Sequence, residues 1–188
     1  MKTILDLRNN FISDTESLLK DMVGFNSLSE SQVNWKPSDD VWSIAECVDH
    51  LIVTNQLYFN EFEKQFSQKQ LTTDCSKTLV KHKFTGKLLI KSVDPDNLKK
   101  VKTFGVFKPS QSNYSTDLFE KFVDMQKGFI NLLRAFNNLD LNKYIMSSPA
   151  SKFIKENFCD VLEIIRLHDR RHINQAQRLL NHNNFPEN

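Results

Sequence analysis

Apolar residues recur at helical spacing in four long stretches of this chain. The first runs from about Lys2 to Phe25, with Leu7, Phe11, Leu18 and Val23 along one line, Ile4 and Met22 beside them, and Gly24 as a stop. A loop is expected from Asn26 to Asp40, with Pro37-Ser38-Asp39-Asp40 as its turn. The second helix has the clearest start. Ser43 and Glu46 form an S-x-x-E capping box, in which each side chain satisfies a free backbone N–H of the first turn, and Trp42 and Cys47 are spaced for a hydrophobic staple. This helix runs to about Gln68 on a stripe of Ile44, Cys47, Val48, Leu51, Tyr58, Phe62 and Phe66. The third starts near Ser115 as cap and runs to about Leu139, its face built from Leu118, Phe122, Met125, Phe129, Leu132, Leu133 and Phe136. A loop around Ser147-Ser148-Pro149 leads to the fourth, which extends from Glu156 or Asp160 to Asn181 with Val161, Ile164, Ile165, Leu179 and Leu180 inside.

Between the second and third helices, at about residues 70–113, Gly86, Pro95, Gly105, Pro109 and the turn Asp94-Pro95-Asp96 break the pattern. A loop of this length is uncommon unless it is functional or carries structure of its own. Short extended pieces fit around Lys87 to Val93 and Val101 to Phe107. With no convincing sheet, the expectation is an all-α protein, a four-helix bundle with a long irregular insertion. The long connection can cross the end of the bundle, so the topology need not be strictly up-down-up-down.

Composition supports helices: among 188 residues there are only 4 Gly and 5 Pro, and 15 Phe predict an aromatic-rich core. The formal net charge of +2 gives no footprint for a polyanion such as DNA. The basic run Leu98-Lys99-Lys100-Val101-Lys102 is short and reads as a solvated loop. Three separated cysteines, Cys47, Cys75 and Cys159, make neither a disulfide framework nor a zinc knuckle. With no apolar leader or membrane-length run, the expectation is a cytoplasmic protein with reduced thiols and no nucleic-acid or membrane partner.

Chemistry concentrates in the fourth helix, at His168-Asp169-Arg170-Arg171-His172. Histidines at i and i+4 share one helix face and can converge on a single ion. Stepping from Val161 gives Ile165, His168, His172, Gln175, Ala176 and Leu179, so the pair stands on the buried stripe. A buried histidine needs a partner for each ring nitrogen, which either a metal or a carbonyl in a partly wet core can supply. The spacing is not HExxH, so a zinc-protease mechanism has no support. His50 lies beside the stripe of the second helix on the Glu46 side, and in an antiparallel bundle it supplies a third corner. Three neutral imidazoles leave open positions, as in catalytic rather than structural metal sites. His82 and His182 read as solvated.

The segment Trp42-Ser43-Ile44-Ala45-Glu46-Cys47-Val48-Asp49-His50-Leu51 resembles the W-S-x-x-E-x-x-x-H-L signature of the DinB-like superfamily. His168-Asp169-Arg170-Arg171-His172-Ile173-Asn174-Gln175-Ala176 resembles that family's late H-x-x-x-H helix with its Gln-Ala step. Phe107-Lys108-Pro109-Ser110-Gln111-Ser112-Asn113-Tyr114-Ser115 is similar to the lead-in of the third helix in one branch. The resemblance covers nearly the whole chain in the right order. It implies one DinB-like domain over 1–188, a helical bundle that is often a homodimer, and a divalent metal ion, zinc or nickel foremost, on His50, His168 and His172. Some relatives are bacillithiol- or mycothiol-dependent S-transferases, and others thiol-dependent isomerases.

The function expected on this basis is metal-assisted transfer of a low-molecular-weight thiol to a small electrophilic substrate. The alternatives are a metal-dependent hydrolase on the same histidines and a non-enzymatic metal-binding stress-response protein. A bound cation lowers the pKa of a coordinated thiol or water toward neutrality. Arg171, three residues after His168, is the candidate for holding an anionic group of the substrate, with a surface ion pair as its bland reading. Glu46 reads as a cap before an acceptor for His50, and Trp42 and Tyr58 as core before substrate platform. Asp169 and Arg170 are expected against solvent or a neighbouring helix.

Overall fold

The computed structural model describes residues 2–66, 75, 77–97, 99 and 103–187. The fold is mostly helical, with α1 (Ile4–Asp21), α2 (Glu30–Asn34), α3 (Ile44–Phe66), α4 (Phe84–Val93), α5 (Leu118–Ala135) and α6 (Phe158–Leu180). Before α6 stands an antiparallel hairpin of β1 (Ile145–Ser148) and β2 (Ser151–Asn157). No described helix is long and apolar enough to cross a membrane.

Local chemistry sets the helix starts. Thr3 caps α1, its Oγ1 accepting from the Asp6 N–H at 3.1 Å while the Asp6 carboxylate accepts from the Thr3 N–H at 2.8 Å. The same reciprocal box opens α3 at Ser43 and Glu46, with bonds of 3.1 and 2.8 Å, and α6 at Asn157 and Asp160, with 2.9 Å in both directions. A fourth box, Ser29 with Gln32, builds α2 inside the stretch expected as loop. Ser115 is not the cap of α5: its hydroxyl donates to Asp117, and the helix begins at Leu118 and ends at Ala135.

The long helices pack around two hydrophobic clusters. One gathers Leu7 and Phe11 of α1, Phe62 and Phe66 of α3, Phe129 of α5, and Phe158 and Ile165 of α6. The other gathers Leu18 of α1, Val48 and Leu51 of α3, Phe119 and Phe122 of α5, and Ile173 and Ala176 of α6. The N-terminal halves of α1 and α6 thus meet the C-terminal halves of α3 and α5. Hence α3 and α5 run the same way, against α1 and α6, and the chain between them must travel the length of the molecule. Among the buried polar residues between the clusters are Thr15, Asn55, Gln126 and Asp169, each from a different long helix. Asn55 donates to the Asp169 carboxyl oxygens at 2.9 and 3.1 Å, and Gln126 donates at 2.6 Å.

Further expectations need correction. The stretch Lys87 to Val93 is not extended but lies in α4. Gly86 signalled a break, yet it lets α4 approach α6, because a Cβ there would overlap the Asp160 carboxyl. Around Val101 to Phe107, residues 101 and 102 lie outside the described residues, and Gly105–Phe107 form a 3-10 turn. Most of the basic run at 98–102, and residues 67 and 68 of the second helix, also lie outside them. The loop at Ser147-Ser148-Pro149 is the end of β1 and the hairpin turn, and β2 feeds straight into α6. Gly86→Ala should lower stability by about 1–3 kcal/mol in chemical denaturation. The overlap outweighs the ~1 kcal/mol helix-propensity gain of Ala, because the Asp160 carboxyl is held by its own partners. A variant as stable as the parent would show that the close approach is absent.

Candidate metal centre

The antiparallel pair α3 and α6 brings the three predicted histidines together. His50 stands two turns into α3, and His168 and His172 one turn apart on α6. Their ring centroids are 4.6–4.9 Å apart, and one ligand atom from each lies within 4.8 Å of the others. His50 Nε2 and His168 Nε2 are 3.1 Å apart. Two imidazole nitrogens bound at 2.0–2.1 Å to one tetrahedral ion stand about 3.3 Å from each other, so the spacing suits a shared cation.

The second nitrogen is oriented in two of the three rings. His50 Nδ1–H donates to the Phe107 carbonyl at 2.5 Å and His172 Nδ1–H to Gln175 Oε1 at 3.0 Å, which turns both Nε2 lone pairs inward. His168 Nδ1 is buried and has no partner among the described residues. Burial depresses all three pKa values: His50 and His168 fall below the usual imidazole range, and His172 falls to about 3. The rings are therefore neutral, as ligands must be.

The segment that follows Phe107 is tied to α3 by Asp49, the neighbour of His50. Asp49 accepts from the Ser110 N–H at 2.6 Å, the Ser110 hydroxyl at 3.2 Å and the Tyr114 hydroxyl at 3.0 Å. The segment Phe107 to Ser115 thus has a physical role: it is clamped to α3 so that its first carbonyl orients His50. Asp49→Ala should weaken metal affinity by about 10–100-fold, the usual cost of losing an outer-shell partner. Competition with a chelator of known affinity measures it, and unchanged affinity would mean Phe107 stays in place without the clamp.

The rings open onto a cavity of about 530 Å³. Trp42 is not simply core: it lines the cavity with its ring 4.8 Å from that of His50 and 5.7 Å from that of His172. Tyr58 is buried as expected, yet it also borders the cavity. Leu89 and Val93 of α4, with Phe104 and Phe107, make an apolar wall from the supposed irregular insertion. Arg171 also borders the cavity, but among the described residues its guanidinium meets backbone carbonyls and no carboxylate. It donates to the carbonyls of Asp94 at 2.8 Å, Lys99 at 2.9 Å and Asn97, and so pins that wall to α6. Arg178, two turns further along α6 and exposed, borders the same cavity.

The other residues considered fall into place around this centre. Glu46 is the cap of α3, and its other oxygen pairs with Lys36 at 3.1 Å. Asp169 faces neighbouring helices, as above, and Arg170 pairs with Asp21 of α1. His82 is not solvated: its Nδ1–H donates to the buried Asp160 at 2.8 Å. His182 is exposed, with its ring against Trp35. The role of Gln175 was within reach, since an amide three residues after His172 on the same face is well placed for its Nδ1. No local signal marked Asp49 or the Phe107 carbonyl, because their partners are distant in sequence.

No curated protein and no solved structure matches the chain. A family model does: that of the DinB superfamily aligns with residues 13–176, a span that includes all three histidines, the capped start of α3 and the cavity wall. The chain belongs to the DinB superfamily.

Proposed function

We propose that this protein is a metal-dependent enzyme that joins a low-molecular-weight thiol to a small electrophile, with His50, His168 and His172 as the ligands of one zinc or nickel ion. One observation carries the reading. Three neutral imidazoles, two with tautomers set by outer partners, converge at the wall of a cavity large enough for a small molecule. An ion held there would supply Lewis acidity, lowering the pKa of a thiol or water beside it. The chain's own residues do the rest. The Phe107 carbonyl and Gln175 keep the rings oriented, and Trp42 covers one face of the pair His50 and His172. Leu89, Val93 and Phe104 offer an apolar surface for the electrophile, while Arg178 is placed to meet an anionic group of the thiol. The four long helices α1, α3, α5 and α6 serve in this reading as the family's bundle.

The test is product formation from a thiol and a chlorodinitrobenzene, with zinc- or nickel-loaded and metal-stripped protein. The carbon–sulfur bond forms, chloride leaves, and the thiol proton passes to solvent. Conjugation that depends on the metal and falls in His168→Ala supports the transferase. Metal-dependent ester hydrolysis without thiol selects the hydrolase instead. Metal binding with neither reaction, across a panel of thiols and electrophiles, selects the non-enzymatic metal-binding protein.

A further inference from the structure

The cavity has a second polar end. Along α3, His50, Thr54 and Tyr58 all border it, each one turn from the last, so Tyr58 stands about 12 Å along the helix from His50. Ser148, the last residue of β1, and Ala150 in the hairpin turn border it at that end, with Ile164 of α6. Behind them lies Glu156 of β2. Glu156 is 0% exposed, and neither of its carboxyl oxygens has a hydrogen-bond partner among the described residues. Its neighbours are the Tyr58 and Ser148 hydroxyls, and Tyr58 is in turn near Ser148.

A buried carboxyl with no partner costs stability, so its presence calls for an account. Structural use does not supply one. Asp160 nearby shows what a structural carboxylate looks like here, with His82, Asn157 and Lys83 all donating to it. Glu156 has no such set. Burial, with the Asp160 charge adding to it, raises its pKa to about 7 against the pull of the two hydroxyls. Glu156 does not itself line the cavity, but its two hydroxyl-bearing neighbours, Tyr58 and Ser148, both do.

We propose that Glu156, Tyr58 and Ser148 form a second subsite of this cavity, which takes a neutral hydrogen-bond donor of the ligand, an alcohol or an amide N–H. The subsite rests on the reading of the cavity as a ligand site. Glu156 is a positioning residue: with the ligand in place the two neighbouring hydroxyls turn their protons to its carboxyl oxygens and their lone pairs to the ligand. A ligand carboxylate is disfavoured, because it would add negative charge beside Glu156 and Asp160. A ligand ammonium gains little, because the Glu156 oxygens are covered and cannot pair with it directly. The ligand is therefore bifunctional, with a metal-seeking head near the histidines and a neutral donor at the far end.

Calorimetric binding of matched probes tests this. On zinc-loaded protein the probes are octanethiol, 8-mercaptooctanol and 8-aminooctanethiol. On metal-free protein they are octanol and 1,8-octanediol. The terminal hydroxyl should tighten binding by about 3–10-fold in both series, the worth of one hydrogen bond. That ratio should shrink toward one in Ser148→Ala, Tyr58→Phe and Glu156→Gln, while zinc content stays unchanged. Glu156→Gln keeps the side chain's shape, so a loss of the ratio in a folded variant reports on positioning rather than packing. Equal affinities within each wild-type pair, a ratio that survives all three variants, or a preference for the ammonium probe would overturn the proposal. The metal reading fails separately, if the protein takes up no zinc and the thiol binds no better than the alcohol. The octanol and octanediol pair then decides the subsite alone.

Discussion

Alanine at His50, His168 or His172 should each reduce affinity for a divalent ion by more than about 100-fold, beyond the cost of losing an outer-shell partner. Two imidazoles remaining from three hold an ion poorly, and nothing else with a carboxylate or thiolate joins this cluster among the described residues. His82→Ala and His182→Ala should retain the metal, since those rings lie elsewhere, against Asp160 and Trp35. His82→Ala should still lose stability, because it removes a donor from a buried carboxylate. Elemental analysis of the five variants after dialysis, paired with a denaturation curve for each, separates the two effects. Equal metal loss in all five, or none in the first three, would sink the assignment. A zinc K-edge spectrum should show nitrogen neighbours at about 2.0–2.1 Å.

Asp169→Ala should destabilise the metal-free protein by roughly 2–6 kcal/mol, since the Asn55 and Gln126 amides would each lose a buried acceptor worth about 1–3 kcal/mol. The site lies between the two hydrophobic clusters, where water cannot readily replace the carboxylate. Asp169→Asn is the informative companion. Burial raises the Asp169 pKa from 3.8 to about 7. The folded state therefore takes up this proton before the unfolded chain does. The cost of the buried charge is fully present above pH 7 and fades as pH falls from 7 toward 4. Asn carries no such charge, so the difference between parent and Asp169→Asn should move in favour of the parent as pH drops across that window. Urea denaturation of both proteins at pH 5 and pH 8 measures the shift. A difference that does not change with pH would mean that Asp169 is ionised throughout.

The long helices were legible because their signals are local. Capping boxes, apolar stripes and the i, i+4 histidine pair all operate within a few residues, and a stripe that reads His168, His172 and Gln175 shows where the helix faces the cavity. The Ser29 and Gln32 box that opens α2 was equally readable. The hairpin and α4 were not. The strand pairing of β1 with β2 is a relation between segments, and Gly86 looked like a breaker until Asp160 of a distant helix explained it.

What the sequence by itself determined is therefore the set of long helices and the identity of the three histidines, because backbone hydrogen bonding and side-chain periodicity are short-range. Only the tertiary structure decided what surrounds them. The direction of α3 against α6 makes the rings converge, and the clamp of Asp49 on Ser110 and Tyr114 places the Phe107 carbonyl. Arg171 is engaged by three carbonyls that no nearby residue announces. Glu156 is buried, without a hydrogen-bond partner among the described residues, only because the hairpin packs its side chain beside Tyr58 of α3. Each of these depends on contacts between residues far apart in the chain, where burial and partner geometry, rather than spacing, set the energy.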